Sequence, residues 1–237
     1  MNSNRKTTTE EERSGDSSSS SKTTYDRKEW RRVLYKLSAS GLSYPEKPMI
    51  KDLANGKFLS GMLKVSRIFD LGLQERILEV KKYLKDRSLQ PLARRIESEY
   101  VRLFVADTGG ARVKPFGSYY LDGEVMGDSV KEVTSLYSKS GMVKTEDYQG
   151  QPDHISVELE FLFKLTQSSF EEKYEIHANF YDQLLRPWLG EFKSKVVKEA
   201  NQGFYSLMAK WVYESLEADR KLVEEINNSN SAGFETS

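Results

Sequence analysis

The chain has 237 residues, 38% hydrophobic and 30% charged, and its 36 basic and 36 acidic residues give a formal net charge of zero. It has no cysteine and two histidines, which excludes disulfides, thiol nucleophiles, cysteine-ligated metal centres and a histidine-rich metal site. A neutral chain is a poor candidate for non-specific nucleic-acid binding, and no apolar run approaches the ~18 residues of a membrane helix. We therefore expect no bound metal or cofactor, no nucleic-acid partner and no membrane insertion.

The N-terminal residues are rich in Ser, Thr, Lys and Glu and almost free of apolar side chains. This composition predicts a disordered polar tail over residues 1–24, a domain over 25–226 and a flexible tail over 227–237. Arg31 and Arg32 superficially resemble a twin-arginine export signal, but no apolar stretch follows them. We interpret the pair as part of a polar face on the first helix.

Apolar residues recur at helical spacing nearly throughout the chain, which predicts an all-α domain, a compact multi-helix bundle without strands. No internal repeat is evident. The predicted helices cover residues 26–37, 49–69 with a break near Asn55-Gly56, 73–83, 88–104, 129–137, 154–168, 171–186, 188–200 and 203–226.

Residues 106–128 form the longest irregular stretch, rich in glycine. Loops of this length inside a compact domain tend to be functional, so we predict a hinge here between two helical halves. Ser129 and Glu132 have the spacing of a capping box for the next helix. A second loop is predicted over residues 143–151.

Asp153, His154 and Glu158 lie at the start of the helix predicted to be most central, and the last two share one helix face. The cluster suits a general base or part of a metal site, but further ligands or a nucleophile are not identifiable. The plainer interpretation is that Asp153 caps the helix and His154 pairs with Glu158. A nucleotide-binding or hydrolytic helical protein using this cluster is one alternative, and a helical scaffold is another.

Four segments resemble, in this order, the TorD/DmsD/NarJ family of redox-enzyme maturation chaperones. They are EYVRLF at 99–104, PFGSYYLD at 115–122, the helix 129–137 followed by Gly141, and PDHISVELEF at 152–161. A weaker fifth is Arg186-Pro187-Trp188 with Phe192. The fourth segment is the most specific, and the resemblance covers roughly residues 26–219.

The resemblance implies an all-helical, cytoplasmic chaperone without enzymatic activity. Such proteins bind the catalytic subunit of a molybdopterin-containing oxidoreductase, and often its twin-arginine leader peptide, until cofactor is inserted before export or membrane assembly. They occur as monomers or domain-swapped homo-oligomers, and either state is open here. Carried over by position, the implied leader-binding residues are Asp153, His154, Glu158, Pro115, Ser118 and Tyr119.

A twin-arginine leader presents two guanidinium groups followed by an apolar stretch, so its receptor needs carboxylates and an apolar groove. We expect Asp153 and Glu158 to supply the charge, and Tyr119, Phe116 and Phe104 to supply the apolar wall. The sequence departs from the family pattern at two positions. Gly117 stands where many members have glutamate, and Leu184 stands where many have histidine.

Overall fold

The computed structural model describes residues 14–84, 88–105, 110–142, 150–167 and 171–234. The described residues are helical with no strand, as predicted, apart from one isolated antiparallel bridge between Phe116 and His154. The helices are α1 Ser14–Leu42, α2 Lys47–Ala54, α3 Lys57–Ile68, α4 Gln74–Leu84, α5 Leu89–Phe104, α6 Gly117–Leu121, α7 Ser129–Lys139, α8 Ile155–Gln167, α9 Glu171–Phe180, a π-helical turn Tyr181–Leu185, α10 Arg186–Glu199 and α11 Phe204–Phe234.

Helix α8 lies in the interior, where its main packing partner is α1. Its predicted stripe, Ile155, Leu159 and Leu162, is at most 1% exposed, because apolar residues at this spacing share one face of a helix. Helices α10 and α11 pack on each other and supply Trp188 and Trp211 to the same core. The predicted core positions of both tryptophans are confirmed.

Several helix limits differ from the predicted ones. Helix α1 begins at Ser14 and α11 continues to Phe234, so both helices extend into the segments predicted as polar tails. The division into tails and a domain remains a prediction. Helices α9 and α10 are joined through the π-helical turn instead of being separated, and Pro187 is the second residue of α10. Since proline lacks an N–H, it cannot continue the regular bonding of the turn before it.

Arg31 is not on a polar face, so that interpretation is wrong for this residue. It is 4% exposed, and its Nε and Nη2 donate to the two carboxylate oxygens of Asp219 at 2.6 and 3.0 Å. Tyr35 and His177 complete what we call the Arg31 cluster: the Tyr35 hydroxyl donates to Asp219 at 2.7 Å, and Arg31 Nη2 donates to His177 Nε2 at 3.1 Å. Arg32 remains exposed.

The long stretch 106–128 is partly ordered around α6, and its first residues, 106–109, lie outside the described residues, as do 143–149 of the second predicted loop. Val113 is fully buried, and its N–H donates to the Leu103 carbonyl at 2.9 Å. The predicted capping box is not formed, because the Ser129 N–H and hydroxyl both donate to Asp122 Oδ2. The hinge function of this stretch remains a prediction.

Among the described helices, none is long and apolar enough to cross a membrane. A search of the same residues finds no group of three or more His, Asp or Glu side chains arranged to hold a metal ion.

Candidate functional site

Two segments that the sequence singles out, 115–118 and 153–155, lie side by side. The Ile155 N–H donates to the Pro115 carbonyl at 2.8 Å, and the Gly117 N–H donates to the Asp153 carbonyl at 2.9 Å. These bonds flank the bridge between Phe116 and His154. The residues implied by the family resemblance therefore meet across 35 positions of sequence, at the point where α6 and α8 both begin.

The sequence predicted that Asp153 caps α8, but it does not. Its Oδ2 atom accepts the Ser118 N–H at 3.0 Å and the Ser118 hydroxyl at 2.6 Å, so the carboxylate secures the first turn of α6 instead. Asp153 and Ser118 are both 0% exposed. In this conformation neither side chain is accessible to a peptide.

His154 takes the capping position on α8. Its Nδ1 atom lies 3.2 Å from the Ser156 N–H donor and 2.8 Å from the Ser156 hydroxyl, so Nδ1 is the acceptor and Nε2 carries the proton. Burial lowers the pKa of His154 to about 4, although the neighbouring Asp153 charge opposes this shift. The imidazole is therefore neutral near pH 7, and the predicted pairing with Glu158 is replaced by the contact with Ser156.

Glu158 is 0% exposed, and neither carboxyl oxygen has a hydrogen-bond partner. Burial, reinforced by the Asp153 charge, raises its pKa well above the ordinary value. A β-carbon at Gly117 would lie 3.0 Å from Glu158 Oε1 and 3.1 Å from Trp188 Nε1. A side chain at position 117 would displace these groups, so the departure from the family pattern at Gly117 accommodates Glu158 and Trp188.

We call Asp153, Glu158, Trp188 and Tyr120 the Asp153 cluster. Each has a buried polar atom without a hydrogen-bond partner: Asp153 Oδ1, both Glu158 oxygens, Trp188 Nε1 and the Tyr120 hydroxyl. The Tyr120 ring stacks on Trp188 at 5.2 Å between centroids. Buried polar groups are usually paired, and unpaired ones mark strain or function.

An aromatic row lies on the accessible side of the same site. Its rings are Tyr44, Tyr100, His154 and Phe116. Tyr44 is 52% exposed and lies 5.5 Å from Tyr100; the Tyr100 hydroxyl lies 3.5 Å from His154 Nε2; and the His154 ring lies 5.4 Å from Phe116. Tyr44 is exposed and Phe116 and His154 are half-buried, whereas Tyr100 is 5% exposed, so the accessible apolar surface comes from the two ends of the row and from the His154 ring.

The remaining predicted site residues lie elsewhere. Phe104 is 6% exposed and packs in the core against Tyr100, Phe192 and Tyr205, so it forms no accessible wall. Tyr119 is half-buried and faces Lys195 of α10, 5.3 Å from its ring. The sequence interpretation missed Tyr44 and Trp188 as members of the site, and no local pattern around either residue indicates its long-range neighbours.

Comparisons with known proteins show which family this chain resembles. The family model described as nitrate reductase delta subunit matches residues 68–194, more than half of the chain. The chain is 26% identical to the chaperone protein TorD of Shewanella pealeana over 157 residues, which is 62% of this chain and 67% of that one. It is 22% identical to TorD of Actinobacillus pleuropneumoniae serotype 7, over 79% of this chain and 91% of that one.

A solved structure is similar in fold. It is a crystal structure of an Archaeoglobus fulgidus protein assigned as a redox enzyme maturation protein, with a TM-score of 0.52 and 25% sequence identity. The match covers 78% of this chain and 93% of that chain.

Proposed function

Because the chain belongs to the nitrate reductase delta subunit family, which includes the TorD and NarJ maturation chaperones, we propose that it is a cytoplasmic assembly chaperone for one client enzyme. The client is the catalytic subunit of a molybdopterin-containing oxidoreductase. The chaperone binds this subunit and its twin-arginine leader, and supports cofactor insertion before export or membrane assembly.

The observation that carries this proposal is the meeting of segments 115–118 and 153–155 beside the aromatic row. The apolar part of a leader peptide needs an accessible apolar surface, and Phe116 and His154 offer one on the rim of the site. Aromatic side chains with few rotatable bonds lose little entropy on binding. The row therefore suits a short apolar peptide better than a small polar substrate.

The alternative, a hydrolytic or nucleotide-binding protein using the same cluster, fits the geometry poorly. A general base needs an acceptor atom directed at its substrate. His154 Nδ1 is engaged by Ser156, its Nε2 carries the proton, and Glu158 is fully buried with its pKa held well above the ordinary value. We propose accordingly that the site binds and does not catalyse.

Co-purification tests the proposal. A tagged wild-type chain is recovered from its native host, and the accompanying subunit is identified by its mass. We expect a molybdopterin oxidoreductase catalytic subunit, and at least tenfold less of it with the variant Phe116→Ala/His154→Ala. Leu78→Ala serves as the control, because Leu78 is an exposed apolar residue of α4 outside the row. Consistent recovery of an unrelated protein would end the proposal.

A further inference from the structure

The carboxylates best suited to a leader's guanidinium groups, Asp153 and Glu158, are covered by the chain itself. Ser118 occupies Asp153 Oδ2 with two donors, and Gly117 lies directly against Glu158 Oε1. Both residues belong to α6, which is only five residues long. The short helix α6 therefore covers the carboxyl groups of Asp153 and Glu158.

We infer that residues 117–126, here called the latch segment, swing away from α8 when the leader binds, so that Asp153 and Glu158 receive its two guanidinium groups. This inference rests on the proposed function, because it concerns how the same site takes its peptide. The aromatic row lies at the edge of the latch segment, since Phe116 directly precedes Gly117. A peptide with its apolar part on the row thus has its arginines near α6.

The contact between Ser118 and Asp153 resembles the contact that a guanidinium would make. Two donors of one residue, an N–H and an O–H, converge on the carboxylate at 3.0 and 2.6 Å. A guanidinium presents paired N–H donors to a carboxylate and adds a full positive charge, which makes its hydrogen bonds shorter and stronger. A peptide arginine that displaces Ser118 from the Asp153 carboxylate therefore makes a stronger interaction than Ser118 does.

The buried side of the latch segment favours opening. Asp153 Oδ1, the Glu158 oxygens, Trp188 Nε1 and the Tyr120 hydroxyl are all unpartnered in the covered state. Opening lets water or the peptide satisfy these groups, and it lets Glu158 ionise, since burial is the main cause of its raised pKa. The released site then presents two carboxyl groups to two guanidinium groups.

The outer side of the latch segment is weakly held. Only Gly117 and Ser118 of α6 are buried, whereas Leu121 and Met126 are 36% and 56% exposed. Met126 has φ 66°, in the left-handed region that costs energy for a residue with a side chain. Elements with few buried contacts open at lower free energy than the core does.

A second set of hydrogen bonds holds the C-terminal end of α6. Asp122 Oδ2 accepts the Ser129 N–H at 3.0 Å and the Ser129 hydroxyl at 2.6 Å, which ties the end of α6 to the start of α7. Asp122 is exposed, and its carboxylate bonds to Ser129 and not to the Asp153 cluster. Releasing these hydrogen bonds therefore loosens the latch segment without touching the carboxylates that would bind the peptide.

The test combines native-state hydrogen exchange with calorimetry on the full chain. The probe is a synthetic peptide with two adjacent arginines followed by an apolar run, here called the arginine peptide. The control peptide, the glutamine peptide, has glutamines in place of the two arginines. The variants are Ser118→Ala and Asp122→Ala. The control is Asp128→Ala, which removes the same charge but only an exposed pair with Lys131.

We expect wild-type amides at 117–122 to exchange at least a hundredfold faster than those of α11. Both variants speed this exchange at least tenfold, leave α8 and α11 unchanged, and bind the arginine peptide three- to tenfold more tightly. The control matches the wild type, and the glutamine peptide gains nothing from either variant. If Ser118 is instead a direct peptide contact, Ser118→Ala weakens binding, and the inference is overturned.

The inference also fails if residues 117–122 exchange as slowly as α11, or if Asp122→Ala leaves the peptide affinity unchanged. Either result, together with recovery of a molybdopterin oxidoreductase from the host, refutes the latch and leaves the proposed function standing. Recovery of an unrelated protein refutes the proposed function, while the exchange data still decide whether the segment opens alone.

Discussion

The Arg31 cluster and the Asp153 cluster are both buried, but they differ in how completely their charged and polar groups are paired. In the Arg31 cluster the carboxylate of Asp219 accepts three hydrogen bonds. Burial by itself raises the pKa of Asp219, but Arg31, His177 and the hydrogen bonds from Arg31 and Tyr35 together outweigh this effect, so the net pKa lies below its ordinary value. In the Asp153 cluster only one of four carboxyl oxygens has a partner. Removing one partner of a paired buried charge is strongly destabilising, whereas buried polar atoms that lack partners already carry a desolvation cost in the folded state.

The largest effect that sharpens this contrast is expected in the Arg31 cluster. Asp219→Ala leaves Arg31 buried without its counter-charge, so we expect the free energy of unfolding to fall by about 3–5 kcal/mol. Urea denaturation measures this free energy of unfolding. Asp128→Ala, which removes an exposed carboxylate, is expected to leave the midpoint unchanged. A loss for Asp219→Ala no larger than that of a surface variant would contradict the role given to this cluster.

Glu158→Gln tests the opposite behaviour in the Asp153 cluster. The folded pKa of Glu158 is raised above the ordinary 4.5, so the wild type loses stability as the pH rises above 4.5 toward the folded pKa. The glutamine variant lacks this loss. We expect its relative stability to grow by at most about 1.4 kcal/mol per pH unit in that window. Stabilities that stay parallel from pH 4.5 to 8 would show that Glu158 is ionised in the folded state.

His154→Asn probes the same site on the acid side. The folded pKa of His154, about 4, lies below the ordinary 6.5, so its contribution is complete above pH 6.5 and is lost as the pH falls toward 4. The full shift corresponds to roughly 3 kcal/mol, and the partial exposure of the ring reduces our expectation to about 1–2 kcal/mol.

Asparagine retains a capping oxygen, so this variant removes the titration and keeps the cap. We expect a shallower decline in stability below pH 6.5, measured by denaturation at each pH. The control is the wild type itself above pH 6.5, where the two curves should run parallel. An unchanged acid slope would mean that folding does not lower the pKa of His154.

The smallest effect on stability is expected at the aromatic row. Phe116 is half-buried at the rim, so Phe116→Ala should cost about 1 kcal/mol or less, yet weaken binding of a twin-arginine peptide about tenfold. Calorimetry measures the peptide affinity, and denaturation measures the stability. A large stability loss with unchanged affinity would make Phe116 a packing residue and would remove the row from the binding site.

The sequence predicts the parts of the structure that local periodicity determines. Ile155, Leu159 and Leu162 follow helical spacing, and their burial is confirmed. The hydrogen-bond partners of polar residues were predicted wrongly. Asp153 precedes a helix and so fits a capping pattern, but its carboxylate binds Ser118, 35 residues earlier. Arg31 has its partner 188 residues away, where no spacing rule applies.

The burial of Glu158 also escapes prediction, because a glutamate on a helix is exposed far more often than not. Its cover comes from Gly117, a residue that the sequence marks only as a departure from a family pattern. The sequence therefore indicates which segments form the candidate site, whereas the accessibility of the carboxylates in these segments depends on packing between distant parts of the chain.

The most direct measurement is an exchange footprint of the wild-type chain with the N-terminal peptide of whichever subunit it co-purifies with. We expect added protection at the amides around Phe116 and His154 and reduced protection at 117–122. The clearest contradiction would be protection confined to the turn between α10 and α11, around Asn201 and Gln202, where a separate cavity lies, with no change beside α8.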